Sequence, residues 1–124
     1  MATQPLISVV DDDESVRESL ESLIRSAGFA AKVFASSEEF LDSDHLRETD
    51  CLILDVRLPG MNGLELHRHL AARHPELPVI FITAHGSDEE SRSRALRNGA
   101  VDYLIKPFSE DALLNAVHEA LKSR

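Results

Sequence analysis

The stretch Cys51-Leu-Ile-Leu-Asp55-Val-Arg-Leu-Pro-Gly60 decides the fold, because four apolar residues run unbroken into a single carboxylate. An apolar run this short, bounded by turn residues, is typical of a strand covered on both faces, as in a parallel sheet between two layers of helices. The pattern therefore places Asp55 at the carboxyl end of a central strand, where open α/β sheets form their ligand crevices. Standing alone, such an Asp is more often a turn or cap residue, so its role depends on its neighbours.

Length and composition narrow the class of protein. A chain of 124 residues fits one domain with its own core, and we predict a single domain over 1–124. The net charge of −9 argues against direct nucleic-acid binding by this segment, since phosphate contacts require clustered Lys and Arg. No apolar run is long enough to span a membrane and no signal core is present, so we expect a cytoplasmic location. Cys51 is the only cysteine and is predicted to be a packed core thiol.

Strand-like and helix-like segments alternate along the whole chain. Apolar or β-branched runs predict strands at 6–10, 29–34, 51–55, 78–83 and 101–105. Each is followed by apolar residues at helical spacing, and the helices are predicted to begin at the capping residues Asp13, Ser36, Asn62, Ser87 and Ser109. Strands that alternate with helices through short loops favour an α/β fold with an open, doubly wound, five-stranded parallel sheet.

The predicted fourth helix, from Ser87 to Arg97, differs from the others because it has few apolar residues. Only Ala95 and Leu96 are available to anchor it to the core. We therefore expect this helix to belong to the low-stability part of the fold.

Chemically reactive side chains follow several of the predicted strands. Asp11 and Asp12 end the first strand, Asp55 the third, Thr83 the fourth and Lys106 the fifth. These strand ends lie on one rim of a parallel sheet, and carboxylates gathered there repel one another unless a cation or a proton intervenes. Mg²⁺ suits an all-oxygen site of this kind. The hydroxyl and the ammonium group are donors suited to a phosphoryl group carried on the Asp55 carboxylate.

The sequence resembles the receiver domain of two-component response regulators over its whole length. The resemblance rests on motifs that follow one another in this order: Val-Val-Asp11-Asp12, Leu-Ile-Leu-Asp55-Val-Arg-Leu-Pro-Gly-Met-Asn-Gly63, Ile-Thr83-Ala and Asp-Tyr103-Leu-Ile-Lys106-Pro107-Phe. The Thr83-Ala-His85-Gly86 turn and Gly99-Ala-Val-Asp-Tyr103 are most similar to the FixJ-like branch, whose members join the receiver to a C-terminal DNA-binding domain. The resemblance implies a flavodoxin-like (βα)₅ fold with strand order 2-1-3-4-5.

The resemblance also implies a set of metal ligands and a phosphoacceptor. Asp55 would attack the phosphorus of a phosphohistidine on a sensor histidine kinase. Asp12, Asp55 and the backbone carbonyl of Arg57 would hold Mg²⁺, for which Mn²⁺ could substitute, and Asp11 would act through water. The chain would then be a phosphoacceptor that assists its own phosphorylation and dephosphorylation, and not a turnover enzyme.

A switching role is implied for the other half of the site. Thr83 and Lys106 would contact the phosphoryl oxygens, and Tyr103 would turn inward as Thr83 is drawn towards the phosphate. The surface of the fourth helix, last strand and last helix would then change. Basic residues on the fourth helix and acidic residues on the last one predict that the phosphorylated chain dimerises through this surface: Arg92, Arg94 and Arg97, and Glu110, Asp111 and Glu119. The output would be control of transcription through a domain outside this sequence.

Two other functions share parts of this pattern. A metal-dependent phosphatase with an Asp nucleophile usually has a second Asp two residues on, where this chain has Arg57. A flavodoxin-like flavin carrier needs a phosphate loop after the first strand, where Asp11 to Glu14 would repel the flavin phosphate.

His67, His69 and His74 offer an alternative metal site. His67 and His69 stand two residues apart, and such positions point about 200° apart on a helix, so they cannot share an ion. His85 is interpreted as a passive turn residue beside the site.

Overall fold

The structure is a computed structural model that describes residues 4–84 and 89–123. Five strands alternate with five helices. In chain order the elements are β1 (Leu6–Val10), α1 (Glu14–Ser26), β2 (Ala30–Phe34), α2 (Ser37–Asp42), β3 (Cys51–Asp55), α3 (Gly63–Arg73), β4 (Val79–Thr83), α4 (Glu89–Arg97), β5 (Asp102–Ile105) and α5 (Glu110–Ser123). The strands form one parallel sheet with the order β2-β1-β3-β4-β5, which confirms the predicted fold and strand order.

Helices cover both faces of the sheet, so the central strands are buried on both sides. Alternate residues of β3 enter opposite cores: Cys51 and Ile53 face α1 and α5, while Leu52 and Leu54 face α2, α3 and α4. Every residue of β1, β3 and β4 is buried. This two-sided burial is the reason that these strands have continuous apolar runs in the sequence.

The predicted helix starts are confirmed wherever the structure describes them. The Asp13 side chain accepts hydrogen bonds from the backbone at the start of α1, and Ser36 and Ser109 do the same at the starts of α2 and α5. Asn62 and Glu65 form a reciprocal capping box at the start of α3. The predicted cap at Ser87 lies outside the described residues, and the structure describes α4 from Glu89.

One apolar position was assigned wrongly from its spacing. Leu96 was predicted to anchor α4, but it is 37% exposed, and Ala95 is the only buried residue of α4 among those described. The weak anchoring predicted for α4 is thus more pronounced than the sequence indicated. No described helix combines the length and the apolarity that crossing a bilayer requires.

Candidate functional site

The parallel sheet brings the predicted site residues to one edge. Asp11 follows the last residue of β1, Asp55 ends β3, and Thr83 ends β4. In the strand register Asp55 pairs with Ile82 and Thr83 pairs with Ile105, so Lys106 follows directly beyond the neighbouring strand. The side chains that the sequence spaces tens of residues apart therefore lie at the carboxyl end of the same sheet.

Three carboxylates meet at this edge. Asp11, Asp12 and Asp55 can each offer an oxygen such that the three oxygens lie within 4.8 Å of one another. Asp11 is 0% exposed and Asp55 is 6% exposed, whereas Asp12 is open to solvent. The arrangement places two buried acids beside one acid that a cation can reach from outside. Hard oxygen ligands at this spacing fit Mg²⁺ or a similar divalent ion.

Three hydrogen bonds fix Asp11 in place, two to its carboxylate oxygens and one to its backbone carbonyl. Its Oδ2 accepts from Lys106 Nζ at 2.8 Å and its Oδ1 from the Asp13 backbone N–H at 2.8 Å. Its backbone carbonyl accepts from Arg17 Nη1, also at 2.8 Å. Both carboxylate oxygens are therefore already bonded within the protein. The sequence analysis missed Arg17, although it is the only basic residue between positions 11 and 20 and lies one turn into α1, beside four acids.

Lys106 links the two buried acids. Its Nζ lies 2.8 Å from Asp11 Oδ2 and 3.6 Å from Asp55 Oδ2. Burial alone would lower the pKa of Lys106, but the hydrogen bond that Lys106 donates to Asp11 and the charges of both acids outweigh burial and raise this pKa. The ammonium group therefore stays charged and partly offsets the repulsion between the two carboxylates.

The pKa of the Asp55 carboxyl is raised to about 6. The main cause is burial, and the negative charges of Asp11 and Asp12 raise the pKa further. The Arg57 backbone N–H donates to Asp55 Oδ1 at 3.1 Å and, together with Lys106, lowers the pKa in opposition. Asp55 is thus a buried acid whose ionised form gains from any added positive charge.

The amino end of α3 lies directly against the Asp55 backbone. A Cβ atom on Gly63 would lie 2.2 Å from the carbonyl oxygen of Asp55 and 2.9 Å from the Cα of Val56. The Gly63 N–H donates to the carbonyl of Val56 at 3.0 Å. Only glycine fits this close approach, so Gly63 determines how near α3 sits to the reactive acid.

Thr83 and Tyr103 are both buried. Thr83 is 1% exposed at the edge of the sheet, and Tyr103 is 5% exposed. The Tyr103 ring lies 6.2 Å from the Phe81 ring, in the core cluster that also contains Ala95 of α4. The Tyr103 ring is therefore already inside the core without phosphorylation, whereas the expected switch has the ring turn inward only on phosphorylation. The role of Thr83 and Tyr103 as a switch stays a prediction.

Arg57 contributes to the site through its backbone. The Arg57 side chain is exposed, and the use of its carbonyl as a metal ligand stays a prediction.

The predicted histidines do not lie together. His67 is buried against Phe81, with ring centroids 5.2 Å apart, and burial lowers its pKa. Within residues 4–84 and 89–123 the three aspartates are the only His, Cys, Asp or Glu group with metal-binding spacing, so His67, His69 and His74 form no metal site. His85 lies outside the described residues.

Comparison with known proteins identifies the same family that the sequence motifs resemble. The model of the response regulator receiver domain family matches residues 7–118. Nodulation protein W of Bradyrhizobium diazoefficiens is 47% identical over 116 residues, which cover 94% of this chain and 51% of that protein. Transcriptional regulatory protein FixJ of the same organism is 38% identical over 122 residues, which cover 98% of this chain and 59% of that protein. A solved structure of FixJ-N superposes with a TM-score of 0.86 at 34% identity, covering 99% of this chain and 98% of that one.

These likenesses agree with the resemblance to the FixJ-like branch that the motifs indicate. The chain spans about half the length of the curated relatives it matches. The alternation of strands and helices, the acidic edge of the sheet and the family match over residues 7–118 together show that this chain belongs to the response regulator receiver domain family.

Proposed function

We propose that Asp55 accepts a phosphoryl group from a phosphohistidine of a sensor histidine kinase in a reaction that requires Mg²⁺. The observation that supports this most is the environment of Asp55: a buried carboxylate with a raised pKa, beside two other acids and within 3.6 Å of Lys106. Each chain would be modified once and would assist its own phosphorylation and dephosphorylation, so it would be a signalling domain and not a turnover enzyme.

The donor set of the acidic edge fits a divalent cation. Asp12, Asp55 and the Arg57 carbonyl would hold Mg²⁺, with Mn²⁺ as an alternative. Asp11 would act through water, which agrees with both of its carboxylate oxygens being bonded to Lys106 and Asp13. When bound, Mg²⁺ supplies positive charge that keeps Asp55 ionised and offsets the charge of the incoming phosphoryl group.

The chain's own residues then perform the transfer. An oxygen of the ionised Asp55 carboxylate attacks the phosphorus, the bond from phosphorus to the histidine nitrogen breaks, and the imidazole of the kinase leaves. The Lys106 ammonium and the Thr83 hydroxyl donate to phosphoryl oxygens. The backbone N–H of Arg57, which already donates to Asp55 Oδ1, holds the carboxylate in a fixed orientation during the attack.

We propose that Thr83 and Tyr103 transmit the modification. A shift of Thr83 towards the phosphoryl group would free space beside the Tyr103 ring and so favour its buried position, which is the position it has here. To change the equilibrium between the unswitched and switched positions of these two residues from 1:99 to 99:1, the phosphate must favour the switched state by about 5.5 kcal/mol. Because Ala95 is the one buried residue in the part of α4 that the structure describes, we expect this helix to move at a lower energetic cost than the others.

The surface of α4, β5 and α5 has features of an interface between two copies of the chain. It exposes two large apolar side chains, Leu96 and Ile105. Exposed basic residues lie on α4 and exposed acidic residues on α5: Arg92, Arg94 and Arg97, and Glu110, Asp111 and Glu119. Opposite charges on adjoining helices suit a two-fold interface in which each patch meets its complement.

We expect beryllofluoride, which imitates the phosphoryl group, to convert the chain from monomer to dimer through this surface. Sedimentation velocity at high micromolar protein should give twice the monomer mass with beryllofluoride and Mg²⁺, and a weaker dimer at high salt. Leu96→Ser should prevent the dimer without changing the monomer's fold, because Leu96 is exposed. A single mass in both conditions would contradict phosphate-driven dimerisation.

Other parts of the signalling route extend beyond this chain. We propose that residues 1–124 act as one receiver domain, and that phosphorylation controls transcription through an output domain in the full protein. The name of FixJ, a transcriptional regulatory protein, supports this output by likeness. The acidic charge supports the view that this segment does not itself bind DNA.

The proposed function is tested by incubating the chain with acetyl phosphate. With Mg²⁺ we expect a mass increase of one phosphoryl group in intact-protein mass spectrometry, since the cation keeps Asp55 ionised and offsets phosphoryl charge. With EDTA in place of Mg²⁺ we expect no increase. Labelling that is equal in both conditions would refute the requirement for the metal, and no labelling in either would refute the proposed function.

A further inference from the structure

The loop between β3 and α3, residues 56–62, joins the reactive acid to the next helix. The middle of this loop is hydrogen bonded to a side chain of another helix. Its two ends are fixed by the flanking elements, since Val56 N–H donates to the Ile82 carbonyl at 3.1 Å and Asn62 belongs to the α3 capping box. Between these ends, the backbone N–H of Met61 donates to Glu38 Oε2 at 2.9 Å. Glu38 belongs to α2, which is neither of the elements that the loop joins.

This hydrogen bond is the loop's one side-chain tether from elsewhere in the fold, among the residues that the structure describes. The other side chains that accept from the loop's backbone are Asp55 and Glu65, at the ends of β3 and at the start of α3. Among the described residues, the stretch from Leu58 to Met61 has no other hydrogen bond to a side chain beyond its own neighbours. Leu58 and Met61 pack against the core, and the hydrogen bond from Met61 links the backbone of this stretch to α2 as well.

The Glu38 carboxylate also lies against the turn at Gly60. Gly60 has a φ of 71°, in the left-handed region that favours glycine. A Cβ atom at Gly60 would lie 2.7 Å from Glu38 Oε2, so the absence of a side chain is what allows the carboxylate to reach the Met61 N–H. That hydrogen bond lowers the pKa of Glu38, because it favours the ionised carboxylate. The turn and the carboxylate thus fit one another.

We propose that Glu38 is a positioning residue for the acidic site, because its carboxylate fixes the loop that carries Arg57. This inference rests on the proposed function, in which the Arg57 carbonyl is a ligand of Mg²⁺. The Arg57 N–H also donates to Asp55 Oδ1, so a shift of the loop changes both the metal ligand and a hydrogen bond to the phosphoacceptor. Glu38 touches neither the cation nor the phosphoryl group and acts through the loop backbone alone.

The size of the effect follows from how directly Glu38 acts. Removing a group that hydrogen bonds to a metal ligand typically weakens metal binding 10- to 100-fold. Glu38 bonds four residues away from Arg57, so we expect a smaller effect, about fivefold. The effect on the stability of the whole chain is expected to be slight, because the hydrogen bond lies at the surface.

The neighbouring residue provides a matched control. Glu39 is the next residue of α2, is also exposed and carries the same charge, while the loop bond belongs to Glu38. Glu38→Ala and Glu39→Ala therefore change the net charge equally, and only the first removes the tether. Isothermal titration with MgCl₂ should give a dissociation constant about fivefold higher for Glu38→Ala than for Glu39→Ala. Glu38→Gln retains an acceptor oxygen and should stay within about twofold of Glu39→Gln.

A second measurement needs no metal. In EDTA, amide hydrogen exchange of Met61 should be faster in Glu38→Ala than in Glu39→Ala, while exchange in β3 should be the same in both. Equal magnesium affinities in the two alanine variants would overturn the inference. So would equal losses in Glu38→Ala and Glu38→Gln, because that result would assign the effect to charge. Failure of the wild-type chain to bind Mg²⁺ would instead refute the proposed function itself.

Discussion

Asp55→Asn is expected to take up no phosphoryl group from acetyl phosphate and Mg²⁺, whereas the wild-type chain gains one. The amide lacks the ionised oxygen that would attack phosphorus, and Asp55 is the acid whose surroundings combine burial, two neighbouring acids and Lys106. Intact-protein mass spectrometry measures the outcome directly. Asp44→Asn is the control, because this exposed aspartate lies in the α2–β3 connection, is not one of the three clustered acids, and should leave labelling as in wild type.

The same substitution should stabilise the metal-free protein at neutral pH. The pKa of Asp55 is raised from its ordinary value of 3.8 to about 6 in the folded state, so folding favours the protonated acid. Its contribution to stability is fully present below pH 4 and is lost as the pH rises through 6. The loss amounts to roughly 3 kcal/mol at pH 7. Asp55→Asn cannot ionise and should escape this loss.

Urea unfolding in EDTA separates this explanation from a general change in packing. Asp55→Asn and wild type should have similar unfolding free energies near pH 3.5, and the variant should be more stable by up to about 3 kcal/mol at pH 7. Asp44→Asn should follow the wild-type pH dependence. A variant that still gains the phosphoryl mass would show that another residue is the acceptor. A stability difference that does not change with pH would show that ionisation of the buried Asp55 carboxyl is not its cause.

The fold was predictable because its central strands are buried on both faces. Residues such as Leu52 and Ile53 enter opposite cores, so both must be apolar, and the resulting unbroken run marks the strand in the sequence. Asp55 interrupts that run at the point where the strand leaves the core. A carboxylate at this position is unexpected for packing, which is why the site was visible as well.

Hydrogen bonds from long side chains to the backbone of loops were not predictable in the same way. Arg17 and Glu38 act through hydrogen bonds to backbone atoms of Asp11 and Met61, and no periodic pattern records which carbonyl or N–H a long side chain will reach. Leu96 is the opposite case, because a core contact was predicted for it and the structure does not show one. Helical spacing offers both Ala95 and Leu96 to the core, but α4 packs so that the smaller residue faces inward and the larger one faces solvent.

Gly63→Ala is expected to destabilise the chain strongly and to displace Asp55. In an exposed helix position, alanine in place of glycine usually stabilises a protein by about 1 kcal/mol. Gly63 is the first residue of α3 and does not have a positive φ, so its backbone conformation would accept alanine. The added Cβ would lie 2.2 Å from the Asp55 carbonyl oxygen and 2.9 Å from the Val56 Cα. Both are backbone atoms of the central strand and the residue after it, which cannot yield as a flexible side chain can.

Overpacking of this kind costs about 1–3 kcal/mol and sometimes more, so we expect a net loss of about 3 kcal/mol in the unfolding free energy. Gly28→Ala is the matched control: nothing lies within 4 Å of its added Cβ, and its φ of 95° should cost about 1 kcal/mol through backbone strain alone. Urea unfolding of both variants measures the contrast. If Gly63→Ala cost no more stability than Gly28→Ala, the contact of the added Cβ with the Asp55 backbone would not have the predicted effect. Because α3 must move away from β3 to admit the methyl group, we also expect slower phosphorylation of the folded fraction of Gly63→Ala, while Gly28→Ala should react at the wild-type rate.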